Sequence, residues 1–260
     1  MSAVFAASLA GFAVVSAIAF GTWLASLVQR DVSLVDRLWS LMIAVPVVAY
    51  AAWLPAEART PGFLASAAVL VLWAVRLCLY VSWRNWGHGE DRRYQAIRAR
   101  NEPNFPLKSV YLIFLLQAVL AWLVSWPFLA RLAAPVTLPG LEWLGVALAL
   151  FGTVFEWVGD QQLATFKADP GNRGRVMDRG VWRWSRHPNY FGECCAWWGF
   201  FLVALAAGGW WSVVSPLVMT GLLLKVSGVS LLEKDIGERR PAYADYIRRT
   251  SAFFPWPPKA

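Results

Sequence analysis

The chain has 260 residues, of which 58% are hydrophobic and 15% are charged, and it contains 17 Trp. A soluble domain carries about 25% charged residues, so this composition excludes an ordinary soluble protein and predicts a membrane protein. The net charge of +8 is compatible with nucleic-acid binding, but the cations lie in loops between apolar segments, so we expect no nucleic-acid partner.

The sequence predicts seven transmembrane segments. Each is an apolar run long enough to cross a bilayer. They cover residues 3–28, 38–54, 63–83, 109–129, 141–163, 189–207 and 210–232. Backbone groups in lipid must be hydrogen-bonded internally, so we expect helices rather than isolated strands. The predicted fold is therefore an all-α integral membrane bundle of seven transmembrane helices.

The positions of the cations predict the orientation of this bundle. Nearly all of the 24 Lys and Arg residues fall in the loops after the first, third, fifth and seventh segments, whereas the opposite side carries Arg59 and Arg131. Positively charged loops stay in the cytoplasm, so we expect the N-terminus outside and the C-terminus in the cytoplasm. No linker divides the chain. We expect one membrane domain, residues 1–260, with helices one to four in 1–140 and the remainder in 141–260.

The stretch that precedes the sixth segment, residues 181–193 (VWRWSRHPNYFGE), is the most informative in the chain. Pro188 suits the first turn of a helix, because it fixes φ and lacks an N–H. The free N–H groups and the dipole of a helix N-terminus attract phosphate or another anion. The alternative is a membrane-interface anchor, which needs neither His187 nor Asn189.

Acids at the ends of the fifth and sixth segments are a second candidate feature. Ionisable residues in membrane spans are costly and commonly functional. Glu156 and Asp160 are four residues apart and share a helix face, and Glu193 lies in the first turn of the sixth segment. The intervening loop, residues 167–180, mixes glycines with cations that suit phosphate. Interfacial ion pairs and lipid-headgroup contacts are the alternatives.

A third feature lies in the second and third segments. Arg76 and Tyr80 are four residues apart, and either can donate a hydrogen bond to a carbonyl oxygen that develops negative charge. Asp36 could orient or protonate that donor, or it could form a structural ion pair with Arg76. The three cysteines lack metal-ligand spacing, so we expect no metal site.

Several of these motifs together resemble the steroid 5-alpha-reductase-like membrane family. The motifs are W-S-R-H-P-N-Y-F-G-E at 184–193, Y-x-x-Y-x-x-R-T-S-x-F-x-P at 243–255, D-x-x-W at 36–39 and R-N-x-G-x-G-E-D-x-R-Y at 84–94. The last two resemble a bacterial branch of the family. The resemblance implies a seven-helix reductase of the bacterial inner membrane that uses NADPH at a site open to the cytoplasm.

The resemblance also implies the cofactor-binding residues. They are polar and aromatic positions of the C-terminal half that match the family motifs, namely Asp160, Trp182, Arg186, His187, Asn189, Glu193, Tyr243, Tyr246 and Arg249. The chemistry of the basic loop adds cations that suit the phosphates of the cofactor, namely Lys167, Arg173, Arg175 and Arg179.

The implied reaction is hydride transfer to the β-carbon of an α,β-unsaturated ketone in a steroid-like or isoprenoid lipid. Tyr80, with Arg76 or Asp36, would stabilise the enolate oxygen. The chain departs from the family here. The steroid enzymes use a Glu on helix two and a Tyr on helix three, whereas Asp36 is displaced toward the start of helix two and Trp73 aligns best on helix three.

Two other function classes stay open from the sequence. Membrane methyltransferases that act on isoprenylcysteine or phospholipid with S-adenosylmethionine share the R-H-P-x-Y-x-G turn. They commonly carry a Glu-Glu pair before the tail, where this chain has Glu233 and Lys234. A non-enzymatic lipid-binding or scaffold protein would not need the polar residues at 186–193. We therefore expect an NADPH-dependent oxidoreductase.

Overall fold

The computed structural model of the protein describes residues 2–226 and 241–259, and every regular element within them is helical. The longer helices of this part of the chain are α1 (Ala3–Gln29), α2 (Leu34–Trp53), α3 (Pro61–Arg84), α4 (Arg92–Asn101), α5 (Phe105–Ala133), α6 (Pro139–Ala168), α7 (Pro188–Leu205), α8 (Trp210–Lys225) and α9 (Pro241–Arg249). Short 3-10 turns join several of them. The all-α prediction is confirmed for the described residues.

Five of the described helices, α1, α2, α3, α5 and α6, are long and apolar enough to cross a membrane. They contain 20 to 30 residues each, and a helix of about 20 residues spans the hydrocarbon core. These helices indicate an integral membrane protein. The helix α8 is apolar but shorter. It corresponds to the predicted seventh segment, 210–232, and the part of that segment after Val226 lies outside the described residues. Seven spans therefore stay a prediction.

Two stretches that the sequence predicts as polar connections are partly helical. The helix α2 begins at Leu34 rather than Leu38, so Asp36 lies in its first turn. The helix α4 lies inside the predicted loop 84–108. It begins after Asp91, whose carboxylate accepts a hydrogen bond from the Arg93 N–H at 2.9 Å. A search for apolar runs misses both, because neither stretch is apolar.

The chain packs as two compact units. The first comprises Met1–Glu142 and Val203–Ser215, and the second comprises Trp143–Leu202 and Pro216–Ala260. In the first unit α1 packs on α2 through Gly11, where an added Cβ would meet the Tyr50 ring at 2.3 Å. The fully buried Tyr50 hydroxyl lies 2.8 Å from the Ser125 hydroxyl of α5. Gly11 and the hydrogen-bonded hydroxyl of Tyr50 therefore hold α1, α2 and α5 together.

A buried ion pair joins the end of α5 to the start of α6 in the first unit. Arg131 Nε lies 2.6 Å from Glu142 Oε1, and both residues are at most 5% exposed. The Arg131 guanidinium also donates to Thr60 Oγ1 at 2.6 Å and to the Ala58 carbonyl at 3.4 Å. Buried charges require such partners. The connection between α2 and α3 is thereby fixed to α5.

The loops that follow α1 and α3 meet through Glu90. Its Oε1 accepts hydrogen bonds from the Val32 N–H at 3.0 Å and from Arg98 at 2.7 Å, and its Oε2 accepts from Arg98 Nε at 2.9 Å. The Arg98 guanidinium lies 4.4 Å from the centroid of the Phe105 ring. This two-pronged pair positions α4 against the starts of α2 and α5.

The surroundings of Glu90 lower the pKa of its carboxyl. Burial alone would raise this pKa, but the hydrogen bonds from Arg98 and the Val32 N–H outweigh burial and bring it below its ordinary value of 4.5. A depressed folded-state pKa stabilises the fold above the unfolded-state value. That contribution disappears as the pH falls through the lower folded-state pKa.

We expect Glu90→Gln to lower the Tm of the detergent-solubilised protein at pH 7 by a few degrees, since a charged hydrogen bond contributes on the order of 1–3 kcal/mol. The difference from the wild type should shrink as the pH is lowered from 7 to below 4. Thermal unfolding monitored by tryptophan fluorescence measures both. Glu57→Gln, at an exposed position, is the control and should change nothing. A pH-independent difference would contradict the pairing.

Candidate functional site

The second unit is built on an unusually close approach of α6 and α7. A Cβ added to Gly152 would lie 2.4 Å from the Ala196 N and the Gly192 carbonyl, and one added to Gly192 would lie 2.5 Å from the Glu156 N. A Cβ at Gly199 would lie 2.4 Å from the Ala149 N. Backbone therefore packs directly on backbone, as small residues permit in membrane helices. We call this contact the glycine seam.

Buried ionisable residues lie beside the glycine seam, at the C-terminal half of α6 and the start of α7. Each is at most 7% exposed; they are Glu156, Asp160, Arg186, His187 and Glu193. Charged groups are rarely buried unless they are paired or functional. The structure thus brings together residues that the sequence predicts from two separate segments.

Asn189 links the two helices at this cluster. Its Nδ2 donates a hydrogen bond to Asp160 Oδ1 at 3.1 Å. The bond is possible because Gly159 packs against Asn189, where an added Cβ would meet the Asn189 N at 3.2 Å. Helix α7 begins at Pro188, as the sequence predicts, so Asn189 lies in its first turn. An amide and an acid are therefore aligned at a helix N-terminus.

The turn before α7 is held against α6 by hydrogen bonds. Trp182 Nε1 donates to the Gly159 carbonyl at 2.9 Å, and the Val181 N–H donates to Gln162 Oε1 at 3.0 Å. His187 is buried, its N–H donates to Ser185 Oγ at 3.1 Å, and its ring stacks parallel to that of Tyr190 at 5.6 Å. The predicted cofactor residues Trp182 and His187 are thus rigidly placed.

The tail is fixed to this turn by Arg186 and Tyr246. The Arg186 guanidinium donates to the carbonyls of Ile247 and Thr250 at 3.0 and 2.6 Å. A cation suits these carbonyls, which lie at and just beyond the C-terminal turn of α9. The Tyr246 hydroxyl, which is buried, donates to the carbonyls of Trp182 and Ser185. Both residues therefore have a role in the fold of the second unit, whatever else they bind.

Arg249 and Tyr243 belong to the tail helix α9. Arg249 is half-buried, and its guanidinium pairs with Asp245 at 2.7 Å and with Asp178 at 3.6 Å. The hydrogen bond to Asp245 is the main reason why the pKa of Arg249 is raised and the pKa of Asp245 is lowered. Tyr243 is half-buried, and its ring meets that of Tyr246 edge-on at 5.3 Å.

An open groove of about 440 Å³ lies at the C-terminal end of α6. Its lining includes Gln161, Gln162, Thr165, Phe166, Asn172 and Arg179. The lining combines amides, a hydroxyl, an aromatic ring and a cation with one carboxylate, Asp169, and the volume is within the range of about 300–1,000 Å³ for small-ligand sites. The other cations that the sequence predicts for the phosphates, Lys167, Arg173 and Arg175, are exposed in the same region of the chain.

The residues predicted to act on the substrate belong to the first unit. Asp36 Oδ1 accepts a hydrogen bond from the Tyr94 hydroxyl at 2.6 Å, and its Oδ2 accepts one from Arg93 at 2.9 Å. Burial and the Asp36 charge raise the pKa of Tyr94, so the phenol stays protonated and donates. Arg93 and Tyr94 belong to the motif at 84–94, so the structure shows that this motif contacts Asp36 of the D-x-x-W motif.

The third helix contributes Trp73, Arg76 and Tyr80. Trp73 is fully buried and Arg76 is 9% exposed, whereas Tyr80 is half-buried. The Tyr80 ring lies 5.7 Å from the Arg84 guanidinium carbon. Their predicted catalytic roles stay predictions.

Sequence reasoning missed the glycine seam and Ser185. The seam has a recognisable signal, because Gly145, Gly152 and Gly159 recur every seven residues, as do Gly192 and Gly199. Ser185, whose hydroxyl donates to the Phe253 carbonyl at 2.8 Å, has no such signal.

Among the described residues no group of three or more His, Cys, Asp or Glu could hold a metal ion. The residue pair Glu233 and Lys234 lies outside those residues.

The chain is similar to other proteins that have no assigned activity. A family described as a protein of unknown function (DUF1295) matches residues 22–250. An uncharacterized protein of Schizosaccharomyces pombe is 27% identical over 262 aligned positions, which cover 90% of this chain and 75% of the yeast protein. No solved structure matches the chain significantly.

We expect Gly192→Ala to lower the Tm and to loosen the site, because the new Cβ would lie 2.5 Å from the Glu156 N and 2.7 Å from the Gly152 carbonyl. Overpacking of this kind costs about 1–3 kcal/mol. Gly140→Ala, on α6, is the matched control. Nothing lies within 4 Å of its Cβ position, so helix propensity should leave the Tm equal or slightly higher. Equal effects of the two variants would refute the glycine seam.

Proposed function

The chain belongs to the DUF1295 family of proteins of unknown function, and from its own residues we propose that it is an NADPH-dependent membrane reductase. Its reaction would be hydride transfer to the C=C bond of an α,β-unsaturated lipid ketone, as in the steroid 5-alpha-reductase-like proteins that its motifs resemble. The protein would supply binding and polarisation, and the cofactor would supply the hydride.

The observation that carries this proposal is the buried polar cluster at the glycine seam. Asp160 is 4% exposed and accepts a hydrogen bond from Asn189, and Glu156 and Glu193 are buried nearby on the same two helices. Buried acids oppose folding unless they are paired, hydrogen-bonded or put to a functional use. These acids could accept hydrogen bonds from a cofactor that is rich in amide and hydroxyl groups. The family motif assigns Asp160, Asn189 and Glu193 to this role.

The groove at the end of α6 suits the phosphate and adenosine end of a dinucleotide. Arg179 lines it, Arg173 is exposed on the same loop, and Lys167 is exposed in the last turn of α6. Guanidinium groups bind phosphate by paired hydrogen bonds, and Phe166 offers a ring for a base. Arg249, which is half-buried and paired with Asp245 and Asp178, would add a further cation. The second unit thus carries the residues that we assign to the cofactor.

The residues that we assign to the substrate lie in the first unit. Tyr80 would donate a hydrogen bond to the ketone oxygen as it gains negative charge, with Arg76 as a second donor. Asp36 is held by Tyr94 and Arg93, which suits a group that orients others rather than one that reacts. A steroid-like or isoprenoid lipid would reach these residues from the bilayer.

We also propose a topology with seven spans, the N-terminus outside and the basic loops in the cytoplasm. The loops after α1 and α3 meet at Glu90, and both carry cations. The cytoplasmic side is favoured by the excess of Lys and Arg in such loops. A soluble dinucleotide is available there.

NADPH should raise the Tm of the purified protein, whereas S-adenosylmethionine should not. Binding to the folded state stabilises it by about 2.7 kcal/mol at 100 times the Kd, which is a shift of several degrees. Thermal unfolding with each compound measures this difference. Stabilisation by S-adenosylmethionine alone would replace the reductase proposal with the methyltransferase.

Asn189→Ala should weaken NADPH binding roughly tenfold, because it removes the amide that links α7 to Asp160. Tyr80→Phe should leave binding unchanged and slow turnover of an enone lipid by about 100-fold, as expected when an oxyanion donor is lost. Asn104→Ala, at an exposed position, is the control for the first variant. Equal loss of NADPH binding in Asn189→Ala and Tyr80→Phe would contradict this division of roles.

A further inference from the structure

A second groove, of about 390 Å³, lies in the first unit. Helix α1 contributes Gly21, Thr22 and Ala25 to its lining, and α2 contributes Leu34, Arg37 and Leu38. Its volume falls within the range of about 300–1,000 Å³ that is typical of small-molecule sites. None of these residues belongs to the proposed cofactor or substrate positions.

Small side chains on α1 create the floor of this groove. The space around the Cβ position of Gly21 is empty within 4 Å, and Ala25 follows one turn later. Thr22 donates its hydroxyl to the Ile18 carbonyl at 2.7 Å, so this hydroxyl is already satisfied within its own helix. On an uncharged helix long enough to cross a membrane, the result is an apolar trough open to the outside of the unit.

One end of the groove is polar and carries Arg37, the charged residue of its lining. The Arg37 guanidinium lies 3.6 Å from Asp31 Oδ2 and 3.4 Å from the Asn85 carbonyl. Its Nε is buried and has no hydrogen-bond partner among the described residues. Asp31 already accepts from the Ser33 N–H at 2.9 Å. The Arg37 side chain is 17% exposed and lines the groove, so an acceptor that enters the groove can bond to the accessible part of the guanidinium.

We propose that this groove binds an anionic phospholipid. One acyl chain lies along the floor formed by Gly21 and Ala25, and the headgroup phosphate accepts hydrogen bonds from Arg37. Charge complementarity selects this occupant, because Arg37 lines the groove and Arg84, at the end of α3, is exposed next to Asn85, whose carbonyl meets Arg37. A zwitterionic lipid brings its own cation close to Arg37, and a second copy of the chain would have to bury an acid there.

The test is native mass spectrometry of the delipidated full chain, titrated with phosphatidylglycerol or with phosphatidylcholine. We expect one tightly bound phosphatidylglycerol and weaker binding of phosphatidylcholine. Gly21→Leu fills the floor, and Arg37→Gln removes the cation, so each should weaken phosphatidylglycerol binding roughly tenfold. Gly221→Leu, where nothing lies within 4 Å of the Cβ position, is the control for the first variant. Arg30→Gln is the control for the second. NADPH binding is measured in parallel and should be unchanged, because this inference does not depend on the reductase proposal.

Three results would overturn the inference. Unchanged phosphatidylglycerol binding by Gly21→Leu would remove the acyl-chain site. Equal loss in Arg37→Gln and Arg30→Gln would reduce the effect to the general attraction of basic loops for anionic lipid. Conversion of a dimer to a monomer by Gly21→Leu would assign the groove to a second copy of the chain. Thermal unfolding of each variant verifies that it is folded, and because the two variants alter opposite ends of the groove, either one alone decides the question.

Discussion

The backbone contact between α6 and α7 is the constraint on which the second unit depends. Glycines at positions 152, 192 and 199 let the two helices approach until a single added carbon would overlap main-chain atoms of the neighbour, and Gly159 makes a tight contact with Asn189. That proximity gives Asn189 a hydrogen bond to Asp160 and leaves Glu156 and Glu193 buried beside it. With larger residues at these positions, the polar groups would be separated and the acids would face lipid, where each is costly.

The polar cluster also organises the segments outside the helices. Trp182 ties the turn at 180–187 to α6, and Arg186 and Tyr246 tie the tail to the same turn. The tail is thus part of the second unit and not an appendage. In the first unit, the pairs Arg131–Glu142 and Arg98–Glu90 fix the connections between helices. Membrane helices gain little free energy by burying apolar side chains against one another, because lipid is equally apolar. In both units, side-chain hydrogen bonds provide the specific contacts instead.

The sequence predicts the long helices well, because uninterrupted apolar runs have few alternatives in lipid. It also predicts that Asp160, Asn189 and Glu193 belong together, through helix spacing and a family motif. It does not predict α4, since Arg92–Asn101 has no apolar face, nor the early start of α2, since Asp36 and Arg37 look like a loop. The partners of Arg186 and Tyr246 are main-chain carbonyls distant in sequence. Every residue has such a carbonyl, so the amino-acid sequence does not indicate which one is the partner.

The most direct measurement of the central claim is an experimental structure of the purified protein in lipid nanodiscs with saturating NADPH. We expect nucleotide density against Asn189 and Asp160, with its phosphates near Arg179. Density for NADPH elsewhere, or a vacant site at saturating concentration, would contradict the assignment of the α6–α7 cluster as the cofactor site.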